Sequence, residues 1–261
     1  MSDMQVFPLG SGASAYIFAN VEEASSILQL LPIEELRNRQ TRQMLERTDF
    51  IAAAVFPQES GQRFQLAAWG DYPNSRAKMA FRFSKSWKRQ RAATGQSYWY
   101  SAFSKTSIGM TSRQAFVAVS LSDKPADPHM TGASIPEGFN NFSRGAPFSC
   151  WLENPAPMLS RSLNNAGIPI RFPVQQLFFN FYPRTDERYE AMIRLQFENA
   201  SQTRGMAAIL NLAGNFASDD PNTVIAALFF ANPPVQSGNN LDIKTGPLSE
   251  TEVLTLLEMF F

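Results

Sequence analysis

The sequence predicts an α+β fold of two tandem ferredoxin-like βαββαβ repeats, each with an extra strand, their antiparallel sheets covered by helices. Three observations predict it. Along RYEAMIRLQFE, residues Tyr189, Ala191, Ile193, Leu195 and Phe197 point one way, and Glu190, Arg194, Gln196 and Glu198 the other. Such period-two alternation belongs to a sheet with one buried and one wet face. In the next segment Met206, Ile209, Leu210, Ala213 and Phe216 recur at helical spacing and form one apolar stripe. Finally, the order strand, turn, strand, helix occurs twice with similar residues: FP-QESGQ-RF matches YP-RTDE-RY, and NSRAKMAF matches SQTRGMAA. Repetition of order and residue type together reads as an internal duplication.

The first repeat, residues 1–121, opens with the strand AYIFAN. The helix EEASSILQLLP follows, with Val21, Ala24, Ile27, Leu28 and Leu31 as its apolar stripe. Pro32 restarts the chain into IEELRNRQTRQMLERT. DFIAAAVFP is an apolar strand ended by Pro57, and RFQLAAWG alternates through Phe64, Leu66 and Ala68. DYPNSRAKMAFRFSKSW reads as a helix covering this sheet, with Met79, Phe83 and Trp87 four residues apart. YWYSAF and QAFVAVSL supply the remaining strands.

Residues 122–146 are rich in Pro, Gly, Ser and Asn and read as a connecting segment, with Phe139 and Phe142 placed to dock it. The second repeat, 147–261, runs FSCWLEN, a helix PAPMLSRSLNN with Leu159 and Leu163, and a hairpin of QLFFNFYP with RYEAMIRLQFE. A helix with Ser201 as its expected N-cap comes next, and TVIAALFFA, apolar on both faces, reads as a covered strand. LDIKT is the extra strand. Ser249 and Glu252 form a capping box that opens a final helix with the stripe Val253, Leu256, Leu257 and Phe260.

Composition bounds the function. Among 261 residues, 23 Lys and Arg balance 23 Asp and Glu, so no net charge steers the chain toward nucleic acid or an anionic membrane. Charged residues are 18% and aromatics 12%, with 22 Phe, enough apolar mass for a substantial core. A single Cys excludes a disulfide framework, and a single His excludes a His-rich metal site. No cofactor is implied. No run approaches the roughly 18 apolar residues of a spanning helix. The opening MSDMQVFPLGSG lacks a basic n-region and an apolar h-region, and would read the same had a signal been removed. The expected location is extracytoplasmic, periplasm or cell surface, on that reading and cytoplasmic otherwise.

Catalytic signatures are absent: no phosphate-binding glycine loop, no nucleophile elbow and no H-E-x-x-H motif occurs. His129, in DPHM, reads as a loop histidine, and Cys150, within the apolar SCWL, as a buried inert thiol. The acid pairs Glu22/Glu23, Glu34/Glu35 and Asp219/Asp220 sit at helix ends and punctuate them. Arg82, Lys85, Lys88, Arg89 and Arg91 surround Trp87, just before Tyr98, Trp99 and Tyr100. They read first as the solvated face of a helix opposite its apolar stripe, and overall neutrality argues against single-stranded nucleic acid; the second reading is an anion patch of Arg82, Lys85, Lys88 and Arg89 for an anionic sugar or phospholipid head group. Phe139, Phe142, Phe148 and Trp151 form the expected wall of a binding surface, for an unknown protein or a hydrophobic or other small ligand.

Two tandem βαββαβ units with Phe-rich strands, carried by ASAYIFANVEEASSILQLLP, AAWGDYP and the second-half hairpin, resemble the mature domains of spirochaete-type bacterial envelope lipoproteins. A lipobox Cys is not among these residues. The resemblance implies an extracytoplasmic location and no known reaction, and it transfers no functional residues. Together these readings favour a non-enzymatic binding or interaction module of the bacterial envelope. The rivals are a hydrolase or lyase with a cleft between the halves and a carrier of a hydrophobic ligand. The loop reading of His129 carries its own test: His129→Ala should change unfolding free energy by no more than about 0.5 kcal/mol in urea denaturation.

Overall fold

The strands form where the alternating residues are. The computed structural model describes residues 9, 12–30, 43–56, 63–93, 95–110, 115–120, 124–128, 137–157, 160, 173–186, 188–217 and 232–260. Contacts along the chain group it into two units, Met1–Glu22 with Arg37–Asn141 and Glu23–Leu36 with Phe142–Phe261.

The first unit holds β1 (Ala15–Asn20), β2 (Thr48–Phe56), β3 (Arg63–Gly70), β4 (Lys88–Arg91), β5 (Ser97–Ser101), β6 (Thr106–Met110) and β7 (Ala115–Ser120). Their order in the sheet is β1-β2-β3-β7-β6-β5-β4, and each described pairing is antiparallel. Its helix α2 (Asn74–Phe83) follows β3. The second unit holds β8 (Phe148–Glu153), β9 (Val174–Pro183), β10 (Tyr189–Phe197), β11 (Val235–Ser237) and β12 (Asn240–Lys244). The order here is β8-β9-β10-β12-β11, again antiparallel throughout. Helices α1 (Ser25–Leu30), α4 (Ala200–Ala217) and α5 (Glu250–Phe260) belong to this unit. A short helix, α3 (Glu137–Phe142), interrupts the connecting segment.

The class is therefore α+β with antiparallel sheet, as the alternation required. The ferredoxin-like connection is not what the pairings describe. A split βαβ unit sets two strands parallel with a third between them, whereas β1 pairs directly with β2, β2 with β3, β8 with β9 and β9 with β10, all antiparallel.

Strand β10 carries out its pattern to the letter, with Tyr189, Ala191, Ile193, Leu195 and Phe197 buried and the residues between them half-buried. Beside it Leu177, Phe179 and Phe181 of β9 and Phe148, Cys150 and Leu152 of β8 point to the same side. Met206 and Leu210 of α4, Val253, Leu256 and Leu257 of α5, and Ile27 and Leu28 of α1 are buried too. Helix α1 lies against β9 and α5. Phe179 and Phe181 meet edge to face at 4.3 Å, a favoured aromatic arrangement.

Several local readings change. Asn199, not Ser201, caps α4: its Oδ1 accepts from the Ser201 and Gln202 amides at 3.1 and 3.0 Å. Asx geometry places the cap two residues before the donor it satisfies, so the serine falls inside the first turn. Helix α2 ends at Phe83, because Ser84 turns extended, and Trp87 lies beyond it. Met79 is 59% and Phe83 77% exposed, so the spacing of four did not mark the buried face; Phe81 faces inward instead. The basic residues Lys88–Arg91 are strand β4 rather than the face of a helix. Strands β6 and β11 and helix α3 also went unread. The segments IEELRNRQTR, QESGQ and TVIAALFFA, most of PAPMLSRSLNN, the pair Asp219/Asp220 and His129 lie outside the described residues. The capping box holds as read, with the Ser249 amide donating to Glu252 Oε2 at 2.7 Å and the Glu252 amide donating to Ser249 Oγ at 3.4 Å.

Phe181, fully buried, stands between Phe148 and Phe179 in this core. Phe181→Ala should cost about 3–5 kcal/mol of unfolding free energy, read from the urea midpoint, through lost transfer energy and the void left behind.

Candidate functional site

Helix geometry brings Lys78, Phe81 and Arg82 of α2 to one face, since residues three and four apart are neighbours. Beneath that face runs the β4–β5 hairpin, where Arg89 is registered opposite Trp99. Side chains two apart share a side of a sheet, so Trp87 and Arg89 meet Ser97 and Trp99 there. Gln96 and, from β6, Met110 complete the lining of a pocket of about 600 Å³. That volume suits a small ligand. The opposite side of the hairpin is a small core of Ala92, Tyr98 and Tyr100.

Rings form one wall. Phe81 stacks on Trp99 at 5.2 Å with an interplanar angle of 24°, and meets Trp87 edge-on at 5.1 Å. Arg89 is held in place by Ser97: its Nε and Nη2 both donate to Ser97 Oγ, at 3.1 and 2.8 Å. Among the described residues no carboxylate lines the pocket or pairs with Lys78, Arg82 or Arg89. Three cations thus line one space, with no opposing charge among the described residues.

Of the expected anion patch, Arg82 and Arg89 line the pocket and Lys85 and Lys88 do not; all four are exposed. Lys78, Phe81, Gln96, Ser97 and Met110 had not been picked out. Strand KRQR contains no apolar residue, so hydrophobic patterning was silent there. The usable signal was the pair of alternations Trp87-x-Arg89 and Ser97-x-Trp99, which aim two rings and a guanidinium to one side.

The expected aromatic wall is distributed otherwise. Phe139 and Phe148 are fully buried and Trp151 is 6% exposed. Phe139 packs on Phe18 at 5.2 Å within the first unit. Phe142, half-buried, lies 5.9 Å from Phe178, and the Arg194 guanidinium sits 5.0 Å above its ring. Its carbonyl accepts from Asn180 Nδ2 at 2.7 Å. Arg194 also donates twice to Asp242, Nε to Oδ1 at 2.6 Å and Nη2 to Oδ2 at 2.7 Å, and this hydrogen bonding raises its pKa. Lys244 and Arg184 share Glu190 at 2.9 and 3.6 Å. In the second unit, then, each of these cations has its acid.

Cys150 is buried, and desolvation pushes its thiol up to about 12. The thiolate is the reactive form, so this group is inert, as its apolar strand suggested. Among the described residues no group of three or more metal-ligating side chains occurs, and no helix is long and apolar enough to cross a membrane.

Fold and site together define an α+β protein of antiparallel sheet with a cationic, ring-walled pocket. More specifically, the chain belongs to the family of the outer membrane-associated lipoprotein TP0453, whose model matches residues 4–217. Its likeness to solved structures of TP0453 spans almost the whole of both chains. Against crystal form III the TM-score is 0.67 at 18% identity, covering 99% of this chain and 100% of that one. Against crystal form I it is 0.66 at 19% identity, covering 98% of each. Comparison with curated proteins finds no match. The envelope-lipoprotein resemblance read from the sequence is thereby borne out, and with it the extracytoplasmic location that this family carries.

The burial of Cys150 has a direct readout. A chromogenic disulfide reagent at pH 8 should leave the folded protein unmodified and react with one thiol per chain only after denaturation.

Proposed function

We propose that this chain is a non-enzymatic, envelope-associated binding protein, and that its ligand is a small anion held in the pocket of α2 and the β4–β5 hairpin. The observation that carries the reading is the convergence of Lys78, Arg82 and Arg89, unopposed by any described carboxylate, on a wall of Phe81, Trp87 and Trp99. Like charges placed together without acids repel one another, and an anion removes that cost. The lining offers cations, an amide, a hydroxyl and rings, which are groups that hold and orient. Family membership supports the envelope as the place where this binding occurs.

The two units also share an order, β1-β2-β3-β7 in one and β8-β9-β10-β12 in the other, with a helix after the third strand of each. That agreement, added to the paired sequence segments, supports descent of residues 1–121 and 147–261 from one duplicated ancestor joined by residues 122–146. On this reading the first copy gained the β4–β5 insertion that builds the pocket.

Anilinonaphthalene sulfonate, an anion carrying fused rings, is a suitable general probe. Its fluorescence should rise on binding to the native protein. Arg82→Ala or Arg89→Ala should each weaken it about tenfold, the worth of one charge-assisted hydrogen bond. Lys85→Ala, exposed and outside the lining, should leave the affinity unchanged. Equal losses in all three variants would refute the pocket as the site.

A further inference from the structure

The pocket's composition says more than its charge. A single carboxylate or sulfonate needs one cation, and here three surround one space. Two of them are guanidinium groups, planar forks that match the oxygens of a phosphate in paired hydrogen bonds. Because Ser97 Oγ occupies Arg89 through Nε and Nη2, the guanidinium is held in one orientation with its Nη1 edge left for a ligand. Arg82 rises from α2 one residue after Phe81, and Lys78 lies one helical turn before Arg82. A dianion between them would meet donors from helix and strand at once.

Beside the cations lies a different surface. Trp87 stands edge-on to Phe81 and is only partly buried, so it presents ring to the pocket. Gln96 supplies an amide and Ser97 a hydroxyl next to it. Aromatic rings with amide and hydroxyl groups at their margin suit a ring that is apolar on its face and hydroxylated at its edge. Rested on the reading of this pocket as the ligand site, we propose that the ligand class is a phosphorylated sugar or polyol: phosphate between Lys78, Arg82 and Arg89, its ring against Trp87, its hydroxyls toward Gln96. The same chemistry occurs in a free sugar phosphate and in the head group of a lipid such as phosphatidylinositol.

The test is calorimetric titration of the full chain with glucose 6-phosphate, glucose and inorganic phosphate. Glucose 6-phosphate should bind at least about tenfold more tightly than either fragment, since each supplies only part of the contact. Arg82→Gln and Arg89→Gln should remove the advantage over glucose, and Trp87→Leu the advantage over inorganic phosphate. Trp87 lies outside regular structure and is incompletely buried, so that variant keeps the fold; an unchanged circular dichroism melt verifies it. Phosphatidylcholine vesicles containing phosphatidylinositol form the second arm. Displacement of glucose 6-phosphate by them supports the class with a lipid as source, and failure to displace supports a free sugar phosphate.

Glucose 6-phosphate binding no better than inorganic phosphate overturns the inference. If it fails to bind while anilinonaphthalene sulfonate binds in an Arg82- and Arg89-dependent way, the ligand class falls and the site stands. If neither binds, both fall.

Discussion

Side-chain alternation along paired antiparallel strands is the constraint on which the remaining structure depends. In β10 every second residue from Tyr189 to Phe197 is buried, and β9 matches it residue for residue from Pro183 to Gln176. A slip of one position would put Asn180 and Tyr182 in place of Phe179 and Phe181 on the face that meets Ala191 and Ile193, so register is strongly specified. Once that face is committed to Phe and Leu, α1, α4 and α5 have an apolar floor to cover. The other side of β10 carries Glu190 and Arg194.

The two units arrange that charge differently. On the outer side of β10 and β12, Arg194 is clasped by Asp242 and shaded by Phe142, and Lys244 leans on Glu190. Half-exposed pairs of this kind contribute little to stability, about 1 kcal/mol or less. What they do is neutralise the cations that take part in them. The β4–β5 hairpin has arginines of the same kind, with rings of the same kind beside them, but Arg89 is oriented by a serine. A hydroxyl fixes a guanidinium without cancelling it. That difference, rather than the number of basic residues, is what supports the proposal of a binding site at the hairpin.

How much of this was legible follows from which forces write themselves into sequence. Long apolar strands did, so β2, β3, β9 and β10 and the hairpins they form were readable, as was the Ser249–Glu252 cap; the face of β3 was not, since Phe64 is exposed and Gln65 buried, against its alternation through Phe64, Leu66 and Ala68. Shorter or polar elements did not. Strand β4 is held by backbone pairing with β5 and carries only Lys, Arg and Gln, so it gave no hydrophobic period. In α2 the repeat of Met79 and Phe83 imitated a buried stripe, yet both are exposed and it is the half-buried Phe81 that turns to the hairpin, stacking on Trp99. Strand order was the least readable feature: βαββαβ succession fits both a split βαβ sheet and a meander, and only pairing separates them. For the site, Arg82 and Arg89 stood out as basic residues near Trp87. Their company of Ser97, Gln96 and Met110 depends on contacts between β4, β5 and β6, which no local spacing encodes.

Overall neutrality sharpens what such a pocket must do. A chain with 23 residues of each sign has no net field to gather anions from a distance, and at physiological salt the reach of an exposed charge is only about 8 Å. Any selectivity therefore has to come from contact: a fixed guanidinium, a second cation on a facing helix, and a ring against which the remainder of the ligand rests. Contact in turn needs rigidity. The Phe81–Trp99 stack supplies it by tying α2 to the hairpin, so that Arg82 and Arg89, on separate elements, keep a constant separation. On the proposed reading the aromatic residues thus have two jobs, Phe81 and Trp99 joining the helix to the hairpin and Trp87 offering its ring to the ligand. Lysine at position 89 would retain the charge and lose the fork that Ser97 orients, which is why the identity of the residue, and not its sign alone, defines this site.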